Sequence, residues 1–266
     1  MTTPTIGVLG HGFVGQAVRE FFEGHGHTVR VHDKNPDRST HSWAETCTAE
    51  FVFICVPTPT REGRQDQTAL DEVQEALSRW STSTTTVIVK STVLPGTCRR
   101  LASKLRNPVV FSPEFLTARP ASYDFAHPDS IILGGHDTMK TKALLTRYHL
   151  DVPVQQVSWE TAELIKYARN TFYAVKVGWW NEVFDICKTL DVDYEVVKQG
   201  VLASGWVNPM HCDVPGPDGQ RGFGGACLPK DSEALVGFSD QQGVNLSILK
   251  AVLASNRKHR NLDEML

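Results

Sequence analysis

At 266 residues the chain has room for one large domain or two modest ones, and its 41% hydrophobic content supplies a core that needs no staples. A formal charge of only −3 at pH 7 provides no strongly basic surface, so a nucleic-acid partner is not expected. Six scattered cysteines with no CxxC pair, no charged-then-apolar leader before Ile6, and no apolar run near the roughly 20 residues of a membrane span predict a reduced, cytoplasmic, soluble protein without a metal site or a membrane partner.

Residues Thr5 to Leu9 read as a short strand that runs into Gly10-His11-Gly12-Phe13-Val14-Gly15 and then a helix from Gln16 to Glu23. In this strand-to-helix setting Gly10 makes the tight turn, and Gly12 lets a pyrophosphate reach the backbone. Gly15 permits close helix packing, and Phe13 and Val14 complete the cofactor-facing turn. Thr28 to His32 is a second strand with Asp33 at its end, where a carboxylate can hold both ribose hydroxyls. Asp33 favours NAD over NADP, although Lys34 and Arg38 stand nearby, and a strand-end Asp can also simply cap a turn.

Phe51 to Val56 is a third strand, ending in Pro57-Thr58-Pro59-Thr60, where two prolines stop both helix and ladder. Leu70 to Trp80 has helical spacing, Ser81 to Thr86 is a polar connector, and Val87 to Lys90 is a strand ending in Ser91-Thr92-Val93-Leu94-Pro95-Gly96-Thr97. Val109 to Ser112 leads into Pro113-Glu114-Phe115-Leu116, and Ser130 to Gly134 and Val152 to Val157 close the series. Strand after strand ends in a small-polar or proline loop, and one rim of the sheet is expected to collect these loops around a ligand. The prediction is an α/β, Rossmann-type, doubly wound, mostly parallel sheet over residues 1–158.

From Trp159 the spacing of Ala162, Leu164, Ile165, Ala168, Phe172, Val175, Trp179 and Val183 becomes helical, which predicts a long helix to about Leu190 and an all-helical domain over 159–266. Lys166 and Asn170 share a face of that helix, as functional groups or as two solvated polar residues. Val207 to Gly222 is loop by composition, and Asp231 to Phe238 and Leu246 to His259 are helices. Arg257, Lys258 and Arg260 complement a helix C-terminus or stay solvated.

Between these helices lies Gly222-Phe223-Gly224-Gly225-Ala226-Cys227-Leu228-Pro229-Lys230-Asp231. A cysteine beside a lysine at the start of a turn can hold its thiolate at neutral pH and attack a carbonyl, while a lone cysteine can equally be buried and inert.

Six motifs in order, GHGFVG (10–15), VPTPT (56–60), KSTVLPGT (90–97), SPEFL (112–116), AELIKYARNTF (162–172) and GFGGACLPKD (222–231), resemble the nucleotide-sugar dehydrogenase family, whose best-known member oxidises UDP-glucose to UDP-glucuronate. The resemblance implies an NAD-dependent four-electron oxidation of a primary alcohol, on a sugar nucleotide or a related sugar or nucleoside, to the carboxylate. It makes Cys227 the nucleophile that forms a thiohemiacetal and then a thioester. It implies that Lys166 stabilises the oxyanion, that Asn170 and Thr92 position hydroxyl or water, that Asp231 holds a water or lysine, and that Glu114 acts on water. By the same resemblance Val56, Pro57, Thr58, Ser91, Thr92 and Lys230 join the cofactor site. Phe115, Leu116, Phe223, Gly224 and Gly225 join Glu114, Lys166 and Asn170 at the substrate, and the helical domain builds a homodimer.

Family members generally continue into a further α/β domain that grips the nucleotide, whereas this sequence stops at Leu266, so a truncated form is expected, with the binding region supplied by a partner chain or not needed. The family's second carboxylate, four residues after the one matching Glu114, is Ala118 here, and its Arg-x-Gly segment is replaced around Met210 and His211. A single-step hydroxyacid-type dehydrogenase that uses Lys166 as acid and base, and a catalytically silent NAD-binding subunit, remain the alternatives.

Overall fold

The computed structural model describes residues 3–116 and 121–260, and Ala118 lies outside them. The chain forms two compact units: Met1–Pro59 with Gln65–Lys166, and Thr60–Arg64 with Tyr167–Leu266.

The first unit begins β1 (Ile6–Leu9), α1 (Phe13–Gly24), β2 (Val29–His32), α2 (Trp43–Cys47) and β3 (Phe51–Ile54). Here the second unit's Thr60–Arg64 intervene: a short hairpin, β4 (Thr60–Arg61) and β5 (Arg64–Gln65), stands where the prolines predict an end to pairing. Then come α3 (Thr68–Trp80), β6 (Thr86–Val89), α4 (Thr97–Lys104), β7 (Val109–Phe111), α5 (Ala121–Ala126), β8 (Ile131–Gly134), α6 (Met139–Thr146) and β9 (Val154–Val157). The sheet order is β2-β1-β3-β6-β7-β8-β9, and the first five of these strands run parallel, with Ile6 opposite both Val29 and Phe51.

Strand β3 shows why this sheet is stable. All four of its residues are buried, and they alternate: Val52 and Ile54 join one core with Leu70, Leu77 and Leu101, while Phe51 and Phe53 join another with Phe22, Val18 and Leu133. Helices cover both faces, as the fold class predicts.

One expectation is corrected. Strand β8 pairs antiparallel with β7, with Phe111 opposite Gly134, and β9 runs parallel to β8. The carboxyl ends of β8 and β9 therefore lie on the rim opposite the other loops. Between β7 and β8, helix α5 packs on α1 through Phe125 and Phe21, 5.1 Å between ring centroids, so it is not spent as a crossover that would return the chain to the starting rim.

Helix α7 (Trp159–Leu190) runs unbroken for 32 residues, its first two turns counted in the first unit and the rest in the second. The second unit adds α8 (Tyr194–Leu202), α9 (Leu228–Gln241) and α10 (Ser247–His259), with residues 207–222 forming the expected loop. Its apolar centres are Trp180, Cys187, Tyr194 and Cys212 in one cluster and Ala174, Phe223 and Leu253 in another. Gly63 meets α9 so closely that a Cβ on Gly237 would lie 1.9 Å from the Gly63 carbonyl oxygen.

Candidate functional site

In the first unit the GHGFVG loop is built as its spacing requires. Gly10 sits at φ +93°, and a Cβ there would lie 2.7 Å from the Cys55 carbonyl oxygen. A Cβ on Gly15 would lie 1.9 Å from the Gly10 carbonyl oxygen, so the helix packs on the turn only because position 15 carries no side chain. Around Gly12 the space is open, and as N-cap of α1 it offers no side chain to the first N–H groups of the helix. No acidic side chain stands in that first turn, and Phe13 is exposed beside it. This cradle fits a dinucleotide pyrophosphate.

Asp33 sits at the end of β2. Its Oδ2 accepts from His11 N–H at 2.6 Å and its Oδ1 from Asn35 N–H at 2.8 Å, so the carboxylate is tied to the phosphate-side loop and retains lone pairs for a diol.

The loops after β3 and β6 are stitched together. Thr58 Oγ1 donates to the Thr92 carbonyl at 2.6 Å, Gln65 Nε2 to the same oxygen at 3.0 Å, and Ser91 Oγ to the Val56 carbonyl at 2.7 Å. Val56 and Thr92 are half-buried and Pro57 is exposed, leaving a surface for a cofactor at this rim.

Next along the sheet, Glu114 Oε1 pairs with Lys166 Nζ at 3.0 Å, and the same ammonium donates to the Glu114 carbonyl at 2.6 Å. Glu114 Oε2 accepts from Leu116 N–H at 2.7 Å, and Lys166 Nζ stands 5.3 Å from the Phe115 ring centroid. The SPEFL segment is thus folded around one buried ion pair.

In the second unit Cys227 is the N-cap of α9, exposed, with Pro229 in the first turn. Asp231 N–H donates to the Cys227 carbonyl at 3.0 Å, so the carboxylate does stand one helical turn from the cysteine. The Asp231 side chain is 1% exposed; it accepts from Asn170 Nδ2 at 2.6 Å and from Lys230 Nζ at 2.5 Å. Phe223 is buried, Gly224 half-buried and Gly225 exposed at φ +74°.

Two cysteines that flank the VPTPT and KSTVLPGT motifs have a different character. Burial pushes the Cys55 thiol up to about 12 and raises that of Cys98. Neither is a nucleophile at neutral pH.

Four buried side chains escaped the sequence reading. Lys90 donates to Ser112 Oγ at 3.1 Å, and its burial, with the nearby Lys166 charge, draws its pKa down to about 8 against the pull of Cys55 and Glu114. Glu163 accepts from Gly96 N–H at 2.7 Å and Cys98 N–H at 2.8 Å, so it holds the start of α4 and the loop carrying Thr92; its burial raises its pKa. Asn256 and Arg260 grip the segment before the cysteine, and Arg260 is 6% exposed, not the solvated or terminus-complementing cation expected. Lys90 and Glu163 lie inside quoted motifs, KSTVLPGT and AELIKYARNTF, whereas Asn256 and Arg260 lie outside them.

Comparison with known proteins agrees with this geometry. Residues 38–150 match the UDP-glucose/GDP-mannose dehydrogenase family, NAD binding domain, and residues 160–258 match that family's central domain. The UDP-glucose 6-dehydrogenase of Rickettsia typhi is 33% identical over 219 residues, 78% of this chain and 49% of that protein. That of Pseudomonas aeruginosa is 34% identical over 230 residues, 80% and 50% respectively, so the chain spans about half the length of these curated relatives. A UDP-glucose dehydrogenase structure from Pyrobaculum islandicum superposes with a TM-score of 0.86 at 30% identity, covering 97% of this chain and 68% of that one. A 3-hydroxyisobutyrate dehydrogenase from Mycobacterium tuberculosis shares the fold at 19% identity, with a TM-score of 0.74 over 97% and 94% of the two chains. Among the described residues no helix is long and apolar enough to cross a membrane. With both of the family's matched domains present in order, the chain belongs to the UDP-glucose/GDP-mannose dehydrogenase family.

Proposed function

We propose that the chain carries out the NAD-dependent four-electron oxidation of a nucleotide-sugar primary alcohol to the carboxylate, with Cys227 holding the aldehyde between the two oxidations. The observation that carries this reading is the exposed Cys227 at the head of α9, one turn from the buried Asp231–Asn170 pair. Residues 1–158 act as the NAD-binding domain and 159–266 as the dimerisation and catalytic-cysteine domain. NAD bound over the Gly10–Gly15 loop supplies the hydride acceptor for each oxidation.

The chain's own groups divide the remaining work. Lys166 provides positive charge for the alkoxide and then for the thiohemiacetal oxygen, and its tie to Glu114 fixes the ammonium. The Cys227 thiolate adds to the aldehyde carbon, and the adduct oxygen is stabilised until its C–H hydride leaves and a thioester forms. Water then adds to the thioester with Glu114 taking its proton, and the thiol is released as the acid departs. Asn170, oriented by Asp231, and Thr92, held by its backbone, position hydroxyl or water. Val56, Pro57, Thr58, Ser91 and Lys230 complete the cofactor surface, and Phe115, Leu116, Phe223, Gly224 and Gly225 that of the substrate.

A homodimer through the helical domain is part of this reading. Phe172, Trp179 and Ile186 follow one another at seven-residue intervals on α7 and are all exposed, an apolar seam suited to a second copy. Sedimentation at micromolar concentration should give a dimer.

The test is stoichiometric. Purified protein is given NAD and UDP- or GDP-sugars, and two NADH per acid product are expected. One NADH with an aldehyde or ketone product would replace this reading with a single-step dehydrogenase, and normal NAD binding without any NADH would leave a silent NAD-binding subunit.

A further inference from the structure

The segment ahead of Cys227 is held by side chains where a strand would use a ladder. Gly222 N–H donates to Asn181 Oδ1 at 3.0 Å, and Phe223 N–H donates to Asn256 Oδ1 at 2.7 Å. The Phe223 carbonyl accepts from Asn256 Nδ2 at 2.8 Å, so one amide satisfies both polar groups of that residue. Arg260 Nε and Nη2 donate to the Arg221 and Gly222 carbonyls at 2.8 and 3.1 Å, and Asp218 Oδ2 fixes Nη1 at 2.6 Å. Consecutive backbone groups from the Arg221 carbonyl to the Phe223 carbonyl are thus all satisfied by buried Asn181, Asn256 and Arg260.

The glycines fit the same clamp. A Cβ on Gly222, at φ +70°, would lie 2.3 Å from Asn256 Oδ1, and one on Gly224 would lie 2.2 Å from Arg260 Nη1. At the other end Phe223 shares an apolar cluster with Leu228, the first residue of α9. Only residues 224–227 lie between the clamp and the helix, and four residues span at most about 14 Å, which leaves the cysteine little freedom of placement. Simple connection of two helices requires no such arrangement; three buried polar side chains are committed to one loop.

We propose that Asn256 and Arg260 are positioning residues for the Cys227 thiol: by fixing the backbone at Arg221–Phe223 they hold Cys227 at the head of α9. The positive end of that helix then favours the thiolate. The assignment rests on Cys227 being the nucleophile, but its test does not need turnover.

The full chain is treated with iodoacetamide from pH 5.5 to 9.5, and alkylation of Cys227 is followed by peptide mass spectrometry, the other five cysteines being buried. In Asn256→Ala the apparent thiol pKa should rise by about one unit, slowing alkylation at pH 7 roughly tenfold. In Arg260→Lys, which keeps the charge and loses the fork, the slowing should be about threefold. Turnover should show lower kcat with KM little changed. A folded Asn256→Ala with the wild-type alkylation profile overturns the proposal. Where that variant does not fold, an unchanged profile in folded Arg260→Lys overturns it, and so does failure of both to fold, because the clamp would then serve the fold and not the thiol. Wild-type protein that makes no NADH yet shows clamp-dependent alkylation would refute the proposed function and leave the clamp standing.

Discussion

Lys166 is tied to Glu114 twice, through its carboxylate at 3.0 Å and through its backbone carbonyl at 2.6 Å, and both side chains are almost fully withdrawn from water. Such a pair is costly to break from one side because the other charge stays buried. Lys166→Met should lower stability by about 3 kcal/mol and Glu114→Leu by a similar amount, with the double variant less destabilised than the sum. Urea unfolding of the four proteins checks this. Additive losses would mean that the ion pair contributes nothing beyond its separate parts.

Cys227→Ser should abolish acid formation and leave at most one NADH per substrate, with aldehyde-level product retained. Its melting temperature should match wild type because the side chain is exposed. Cys98→Ala, in contrast, empties part of a closed core and should cost about 1 kcal/mol of stability while the thiol of Cys227 still turns over. Mass analysis of product from both variants distinguishes the two roles; acid from Cys227→Ser would refute the covalent step.

Asp33 links the ribose end of the cofactor cradle to the His11 N–H. Asp33→Ser should weaken NAD binding about tenfold, since a hydroxyl replaces a charged acceptor, and should narrow the preference over NADP. Calorimetric titration with both cofactors reads this directly. Equal wild-type affinities for NAD and NADP would remove Asp33 as the discriminating group.

The folded chain releases the Lys90 proton at about pH 8, whereas an unfolded lysine keeps it to about 10.5. Between these values the unfolded chain binds more protons, so the stability contributed by Lys90 rises with pH; below pH 8 the buried ammonium carries its full penalty. The stability advantage of Lys90→Met over wild type should therefore shrink by about 3 kcal/mol between pH 7 and pH 10.5. Cys47 and Cys55, pushed up to about 12 by burial, lower stability above pH 9 in both proteins. A difference that stays constant with pH would place the Lys90 ammonium in water.

What could be read from the sequence had local reasons. Gly10, Gly15 and Asp33 each answer to a neighbour that the GHGFVG spacing implies, and Cys227 and Asp231 are one turn apart in any helix that begins between them. The direction of β8 is not readable, because a run of four buried residues is the same along either direction of a strand. Helix α8 was missed since its buried face is only Tyr194 and Lys198, one side chain per turn. Lys90 and Arg260 look like solvated cations until their partners, Ser112 and the Arg221 and Gly222 carbonyls, are brought in from 22 to 39 residues away.

The reversal at β8 divides the sheet unequally between constraint and freedom. Apart from Lys166 on α7, the first-unit residues assigned to cofactor or substrate follow β1, β2, β3, β6 and β7, while the turn after β8 opens on the far rim with His136 and Asp137 in solvent. That turn is the place to attach a fluorophore or a surface tether, because a label there reports on the protein or immobilises it without entering the chemistry.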